Sequence, residues 1–532
     1  MSQAHSKVSL TDHYARLLAV ALAKGQPPVR SPDLDHYLQS SPREIFAAFA
    51  GAACHMPPAG ENEALAFGYL FLLQGLLEHL RYRTDSGHTD AAKLIAEFQG
   101  EVAAQAEAER IDGPMLAYVG GALHQAKIPA SATLIAASEK QHVNDDKSEP
   151  LPADIRAALS GFLEACSGNP FELVGSFLEV GHALPVEARC TFAAGLALSG
   201  MPDAVAAAVL FLLDPEPAVR AAASETLAQA ASTLSPTDLR RLIAIRNWRP
   251  KKERGKVDAI IRRARAAGID CAQWPAGGAE TIDATAIDGS TAQAFLVVSP
   301  AGRKKIVSSI LTKGGIADAW SNEPETRRKI EAALAGSNLD APVLAVSRSY
   351  LDHVMAHNLA LDIDAGDVPP LGLLQVAETL GGADWQPARM ELNDTLDGLI
   401  AEIPEAMLKP AAIAKVLQTS SMLAGLGPIQ EFWFEDGPDI ARTITSGRGR
   451  NRPKLVAYLL QSTIARHRDR WADLFLRMAL WMREAPPETG LSWRELAIVA
   501  KALAEGRDMG EIRLMRDIAL RTIVVNADRA HA

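Results

Sequence analysis

Aromatic residues make up only 5% of this 532-residue sequence. That is too few for the strand-rich core of a β-sandwich, which draws on aromatic and β-branched side chains. Alanine carries much of the apolar content instead and favours close-packed helices. Cysteine is also scarce, with Cys54, Cys166, Cys190 and Cys271 making the full set. No two stand at metal-ligand spacing and there is no Cys-x-x-Cys pair, which argues against a disulfide framework or a zinc ribbon. Their mostly apolar surroundings predict buried, reduced thiols in a cytoplasmic protein. Long hydrophobic runs are missing too. The best candidate, 65–77, is interrupted by Gln74 and falls short of the ~20 residues a membrane span needs. It reads as a buried core helix, and no membrane contact is expected. The segment Met1–Lys7 has no apolar run to act as a signal peptide. There is no Gly-Lys-Ser/Thr phosphate loop, no Gly-x-Ser-x-Gly elbow and no dinucleotide Gly-x-Gly-x-x-Gly. These gaps lower the expectation of an enzyme, and no cofactor is expected.

What is present reads mainly as helix. Hydrophobic content of 48% and charged content of 22% exclude disorder throughout. Apolar residues recur at three- and four-residue steps, and Ser/Asp/Asn with Pro stand at helix starts such as Ser31-Pro32, Asn169-Pro170 and Ser235-Pro236. Proline at the first turn gives up an amide that has no partner there. Residues 11–142 predict five or six helices, followed by a polar linker at 144–150. After Pro275-Ala-Gly-Gly278, three apolar runs at 281–287, 291–299 and 304–312 are separated by Asp288-Gly289 and Pro300-Ala-Gly302. They predict a three-stranded antiparallel meander closed by Gly314-Gly315. Nine helices are then expected, at 324–335, 348–360, 370–380, 389–402, 410–424, 453–466, 469–484, 492–505 and 509–522. All eight tryptophans follow residue 247.

The middle of the chain repeats itself. Arg156, Arg189 and Arg220 each precede a leucine by seven residues, at intervals of 33 and 31, and a fainter copy runs from Arg254 to Ile261. A period in the thirties means one helix pair per unit, stacked on its neighbours because one pair cannot bury its own apolar stripe. In the third copy an apolar helix leads into Asp214, then Val219-Arg220, Ala223 and Leu227. That unit resembles the HEAT-repeat family, in particular its bacterial short-repeat branch. There an Asp opens the turn between two helices and a Val-Arg pair starts the second. The resemblance covers about 150–268 of this chain and implies a scaffold for binding rather than chemistry. The expected fold is mainly α: an N-terminal helical region (1–143), HEAT-like repeats (151–268), a β-meander module (280–320) and a C-terminal helical region (321–532).

Charge supplies the sharpest functional hint. The chain carries a formal net charge of −10, yet 240–266 holds eleven basic residues against Glu253 and Asp258. Arg249, Lys251, Lys252, Arg254 and Lys256 are candidates to grip an acidic partner or phosphates. The competing reading is a solvated repeat face whose acids lie elsewhere. A second basic segment, Arg448, Arg450, Arg452 and Lys454, is glycine-spaced and leads into a helix start, a plausible anion site. Arg466, His467, Arg468 and Arg470 beside Trp471 suggest stacking on exposed bases. His353 and His357 share a helical face at a spacing that can hold zinc, but Val354 stands where a metalloprotease needs glutamate. Glu431 and Glu435 flank aromatics as in some sugar clefts, or as the acidic edges of a core plug. The leading expectation is a non-enzymatic scaffold or adaptor for a protein partner. The alternatives are a protein that contacts nucleic acid through phosphates alone, and an enzyme with its site in the C-terminal half.

Overall fold

The structure, a computed structural model, describes residues 9–23, 30–56, 62–85, 88–108, 110–137, 169–181, 186–336, 342–382, 385–422, 432–435, 438–446, 451–486 and 492–529. It is mainly helical with one small antiparallel sheet. Two compact units divide the chain, Met1–Gly195 and Leu196–Ala532. The polar linker at 144–150, Cys166 and the first repeat arginine, Arg156, lie outside the described residues.

In the first unit, α1 (Leu10–Ala23), α2 (Pro32–Ser40), α3 (Ile45–His55), α5 (Thr89–Glu107) and α6 (Gly113–Gln125) all pack on α4 (Glu63–Asp85). The apolar run at 65–77 lies in α4, where Leu72, Leu73, Leu76 and Leu77 are fully buried. Among the described residues, no helix is long and apolar enough to cross a membrane. Small residues set the spacing: a Cβ on Gly68 would stand 2.3 Å from the Ala15 carbonyl oxygen of α1. Cys54 sits on the outer side of α3 and is exposed, as is Cys271 in the second unit, so the expectation of buried thiols fails at both. At Cys54 the buried stripe of the helix is Ile45, Ala48, Phe49 and Ala52, which turns position 54 outward. Helix α7 (Pro170–Gly181) follows in this unit, and α8 (Val186–Leu198) runs across the division of the chain.

The second unit opens with α9 (Pro202–Leu210), α10 (Pro217–Gln229), α11 (Pro236–Trp248) and α12 (Arg254–Ala266). Proline occupies the first turn of α9, α10 and α11, and Ser235 with Asp238 forms a capping box on α11. The packing is layered. α9 meets its pair partner α10 and the next first helix α11, while α10 meets the next second helix α12.

Strands β1 (Thr281–Thr285), β2 (Gln293–Ala301), β3 (Lys304–Thr312), β4 (Ile316–Ser321) and β5 (Val343–Ala345) form one sheet in the order β4-β3-β2-β1-β5, antiparallel throughout. The predicted three-strand meander is therefore too small. Gly314-Gly315 does not close the sheet but turns the chain into β4, with φ of 67° at Gly314, where glycine carries no Cβ penalty. The remaining helices are α13 (Arg327–Gly336), α14 (Arg348–Ala365), α15 (Gly372–Thr379), α16 (Leu392–Ala401), α17 (Glu405–Leu408), α18 (Pro410–Thr419), α19 (Pro438–Ser446), α20 (Arg452–Gln461), α21 (Arg468–Arg483), α22 (Trp493–Ala504) and α23 (Arg513–Arg529).

One face of the sheet is closed by these helices. Phe295 meets Tyr350 of α14 with ring centroids 6.2 Å apart. Buried Trp481 of α21 donates Nε1–H to the Ala284 carbonyl at 3.0 Å, and buried Trp433 donates to Ile287 O at 3.1 Å. The late clustering of tryptophan thus has a structural cause. The rings of Trp433 and Trp481 fill the layer between sheet and helices while their N–H groups satisfy backbone oxygens.

Candidate binding surfaces and a ligand-sized cleft

Of the described repeat arginines, Arg189 and Arg220 are buried rather than displayed at the surface. Arg220, 1% exposed, donates Nη1–H to Asp214 O and Pro215 O, both at 2.8 Å, and so clamps the turn before its own helix. Its Nε and Nη2 reach Glu253 at 3.0 and 2.9 Å. Arg254, one repeat later, also clamps the turn before its helix, bonding Arg249 O at 2.9 Å and Asn247 O at 3.0 Å. Asp214 accepts from the Glu216 amide at 2.8 Å. The Asp and Arg of the repeat pattern are turn-building residues, and the turn is what spaces one helix from the next.

Arg249 is 1% exposed and spends its guanidinium on Leu212 O at 2.6 Å and Glu253 at 2.6 Å. It is therefore out of reach of an external anion, contrary to the sequence expectation. Burial pushes its guanidinium down to about 10 against the pull of Glu253. Burial alone would raise the Glu253 carboxyl, but the bonds from Arg220 and the charge of Arg249 outweigh it and hold that group below its ordinary range. Arg240 and Arg241 are likewise interior. Both converge on Glu378 of α15, at 2.8 Å from Arg240 and 2.8 and 3.0 Å from Arg241. Trp248 donates to Trp385 O at 2.8 Å beside them. These bonds fasten the helical pairs to the C-terminal helices.

Arg246 is half-buried and pairs with Asp258 at 2.9 Å, and six further basic residues lie outside. Lys251, Lys252, Lys256, Arg262, Arg263 and Arg265 are exposed along the turn before α12 and its outer face, whereas Val257, Ile260 and Ala264 face inward. Lys256 pairs with Glu225 at 2.9 Å, and Arg263 reaches Ala228 O at 2.8 Å. Of the second basic segment, Arg448 and Arg450 lie outside the described residues. Arg452 and Lys454 are exposed at the start of α20, which Asn451 caps through the Lys454 amide.

The other candidates have internal partners. His357 is 5% exposed, and its Nδ1 accepts from the Met390 amide at 3.2 Å. Burial and the nearby Arg477 charge lower the imidazole to about 4, so it is neutral at pH 7. With Nδ1 accepting, the proton of the neutral ring sits on Nε2, and neither nitrogen offers a lone pair to a metal. His353 is exposed, with Nδ1 2.7 Å from Ser349 O. Among the described residues, no group of three His, Cys, Asp or Glu is placed to hold a metal ion. Glu431 lies outside the described residues. Glu435 is 2% exposed and accepts from Trp471 Nε1 at 2.7 Å and Arg470 at 3.2 Å, with His467 3.1 Å away. It is a buried junction, and Arg470 and Trp471 are drawn into it rather than presented to bases.

Sequence reasoning missed a cleft on the open face of the sheet. Direct pairing aligns Asp283, Leu296, Ser309 and Trp320 in one row across β1 to β4. Residues paired in this way point to the same side. At one end Ile330 of α13 packs on Val298 and Val307. Beside it the face stays open as a cleft of about 670 Å³ with a largely apolar lining. Trp320 is 47% exposed at its edge and Val343 39%. The Asp283 side chain has no hydrogen bond or ion pair among the described residues, and burial raises its carboxyl above the ordinary aspartate value. The other charged groups on the lining, Glu325 and Lys329, pair with each other at 3.1 Å.

Residues 185–268 match the family model described as the Y4lR second domain, and 393–527 match the Y4lR C-terminal helical domain. The chain is 24% identical over 413 residues to "Uncharacterized protein y4lR" of Sinorhizobium fredii, a likeness covering 76% of this chain and 78% of that protein. No solved structure matches. The second-domain match spans α8 to α12 and stops two residues after α12, so the helical-pair block is also a unit of sequence similarity.

Proposed function

We propose that this chain is a non-catalytic cytoplasmic scaffold or adaptor that binds an acidic protein partner along the outer face of its HEAT-like helical pairs. The observation that carries this reading is the division of labour among the basic residues of 240–266. Arg240, Arg241 and Arg249 are buried and committed to internal carboxylates and carbonyls. Lys251, Lys252, Lys256, Arg262, Arg263 and Arg265 project from the turn before α12 and its outer face. The layered contacts of α9 to α12 support the HEAT-like assignment, because stacked pairs of this kind present continuous outer surfaces. A cationic strip on a chain of net charge −10 favours an acidic surface by complementarity. The same strip favours one runner-up, sequence-independent contact with nucleic-acid phosphates.

Affinity purification from the native cells tests both. The wild-type chain is compared, with and without nuclease, to a variant in which Lys251, Lys252, Arg262 and Arg265 are replaced by glutamate. A stoichiometric protein that survives nuclease and is lost from the variant supports the adaptor. Nuclease-sensitive nucleic acid in its place supports the runner-up. Recovery of neither, or of a partner indifferent to charge reversal, refutes the assignment to this face.

A further inference from the structure

We infer that the cleft on the open face of the sheet is a binding site for a small organic amine with an apolar body. The inference is independent of the α12 surface. The volume, about 670 Å³, falls within the ~300–1,000 Å³ usual for ligand pockets. The walls are mostly apolar, and Asp283 stands in the central row between the β5 edge strand and Leu296. A half-buried carboxylate in apolar surroundings is costly unless a donor or cation meets it. Among the described residues none does, since Lys329 is held by Glu325. An ammonium group restores what the carboxylate lost on leaving water, and its bond to Asp283 is charge-assisted. The ligand's body then covers Leu296 and Ser309 and meets the exposed indole of Trp320, with Ile330 as the end wall. An anion is disfavoured by the same carboxylate. A neutral apolar molecule gains the walls without the charge.

Three probes of one shape separate these cases: phenethylamine, phenethyl alcohol and phenylacetate. Binding to the full chain is read by saturation-transfer NMR and calorimetry at pH 7.5. The amine is expected to bind best, the alcohol about tenfold weaker and the carboxylate weaker still. Asp283→Asn should bring the amine down to the level of the alcohol and leave the alcohol unchanged. Trp320→Ala should weaken amine and alcohol alike. Melting curves establish that both variants are folded. If Asp283→Asn does not fold, amine affinity of the wild type is followed from pH 7.5 downward and should fade as Asp283 takes up its proton. Glu325 and Lys329 are the other charged groups on the lining. Their exchange for Gln and Met should leave that profile in place. The inference is overturned if phenylacetate binds as well as phenethylamine, if Asp283→Asn retains full amine affinity, or if no probe binds by ~10 mM.

Discussion

Glu253→Gln removes one charge from a site where two buried guanidiniums meet one carboxylate. Arg220 and Arg249 are each 1% exposed, and the Glu253 side chain is 14% exposed. The substitution is nearly isosteric, so packing is preserved while the compensation of two cations is lost. The carbonyls of Leu212, Asp214 and Pro215 still accept from the arginines, which limits the damage. Breaking a buried pair by removing one partner costs about 3–5 kcal/mol, and retained carbonyl bonds place the expected loss near the lower end, about 3 kcal/mol. The sign with pH follows from the lowered Glu253 carboxyl. A group whose folded value lies below its unfolded value contributes stability above the unfolded value and loses it as pH falls through the folded one. The wild-type advantage over Glu253→Gln should therefore be full at pH 7 and shrink on acidification below pH 4.5, the ordinary glutamate value. Urea unfolding, with amide exchange across 212–266 as the local probe, measures both. In a chain of two compact units the local probe is the decisive one, because a global midpoint mixes transitions. A variant within ~0.5 kcal/mol of wild type, in the range of ordinary surface substitutions, would show that the arginines are solvated and would refute the internal-clamp account.

Asp362, 7% exposed, accepts from the Ile316 amide at 3.1–3.2 Å and is pushed up to about 7 by burial. The folded chain therefore holds this proton more tightly than the unfolded chain, and stability should fall as pH rises from about 4 to 7. Asp362→Asn should abolish that slope and raise stability at pH 8 by up to about 4 kcal/mol, measured by urea unfolding at several pH values. His357→Gln should act in the opposite pH sense. The imidazole is lowered to about 4, so the wild type loses stability between pH 6.5 and 4 and the variant should not, as seen in melting temperature against pH. Gly68→Val should separate α1 from α4, since even a Cβ meets the Ala15 carbonyl oxygen at 2.3 Å. A loss of about 2 kcal/mol or more in the first unit is expected, and an unchanged exchange pattern in α1 would contradict it.

The helices were legible because their causes are local. Ser31, Pro32, Ser235 and Pro236 mark starts in the sequence and mark them in the fold. Asp214 and Arg220 stand out because both act on a turn within six residues. β5 was not legible. Its three residues have no pattern of their own and pair with β1, about 60 residues earlier in the chain. The basic segment misled in part for a related reason. Counting Arg240, Arg241 and Arg249 as surface charge ignores Glu378 and Leu212, which come from distant segments. Arg254, expected at the surface to grip an acidic partner or phosphates, instead spends its guanidinium on Arg249 O and Asn247 O, and no local feature separates an arginine that will be held internally from one that stays in water. Of the named candidates in that stretch, Lys251, Lys252 and Lys256 are exposed while Arg249 is interior.

The two faces of the sheet show why the cleft is more than leftover surface. The closed face is built from Ile282, Phe295, Val297 and Ile310, all at most 6% exposed. Trp481 seals it from the helix side while its N–H is satisfied by Ala284 O. A face that simply met water would be polar along each strand, and one awaiting a helix would be apolar along each strand. The open face is neither. Its central row runs Asp283, Leu296, Ser309, Trp320, one acid and one hydroxyl set among apolar neighbours. Desolvation raises the Asp283 carboxyl there, and among the described residues no cation offsets it. Alanine or threonine at that position would cost the fold nothing that the hydrogen bonding of the described residues records. The carboxylate is a stability cost borne on the open face of the sheet, and such costs concentrate where a partner compensates them.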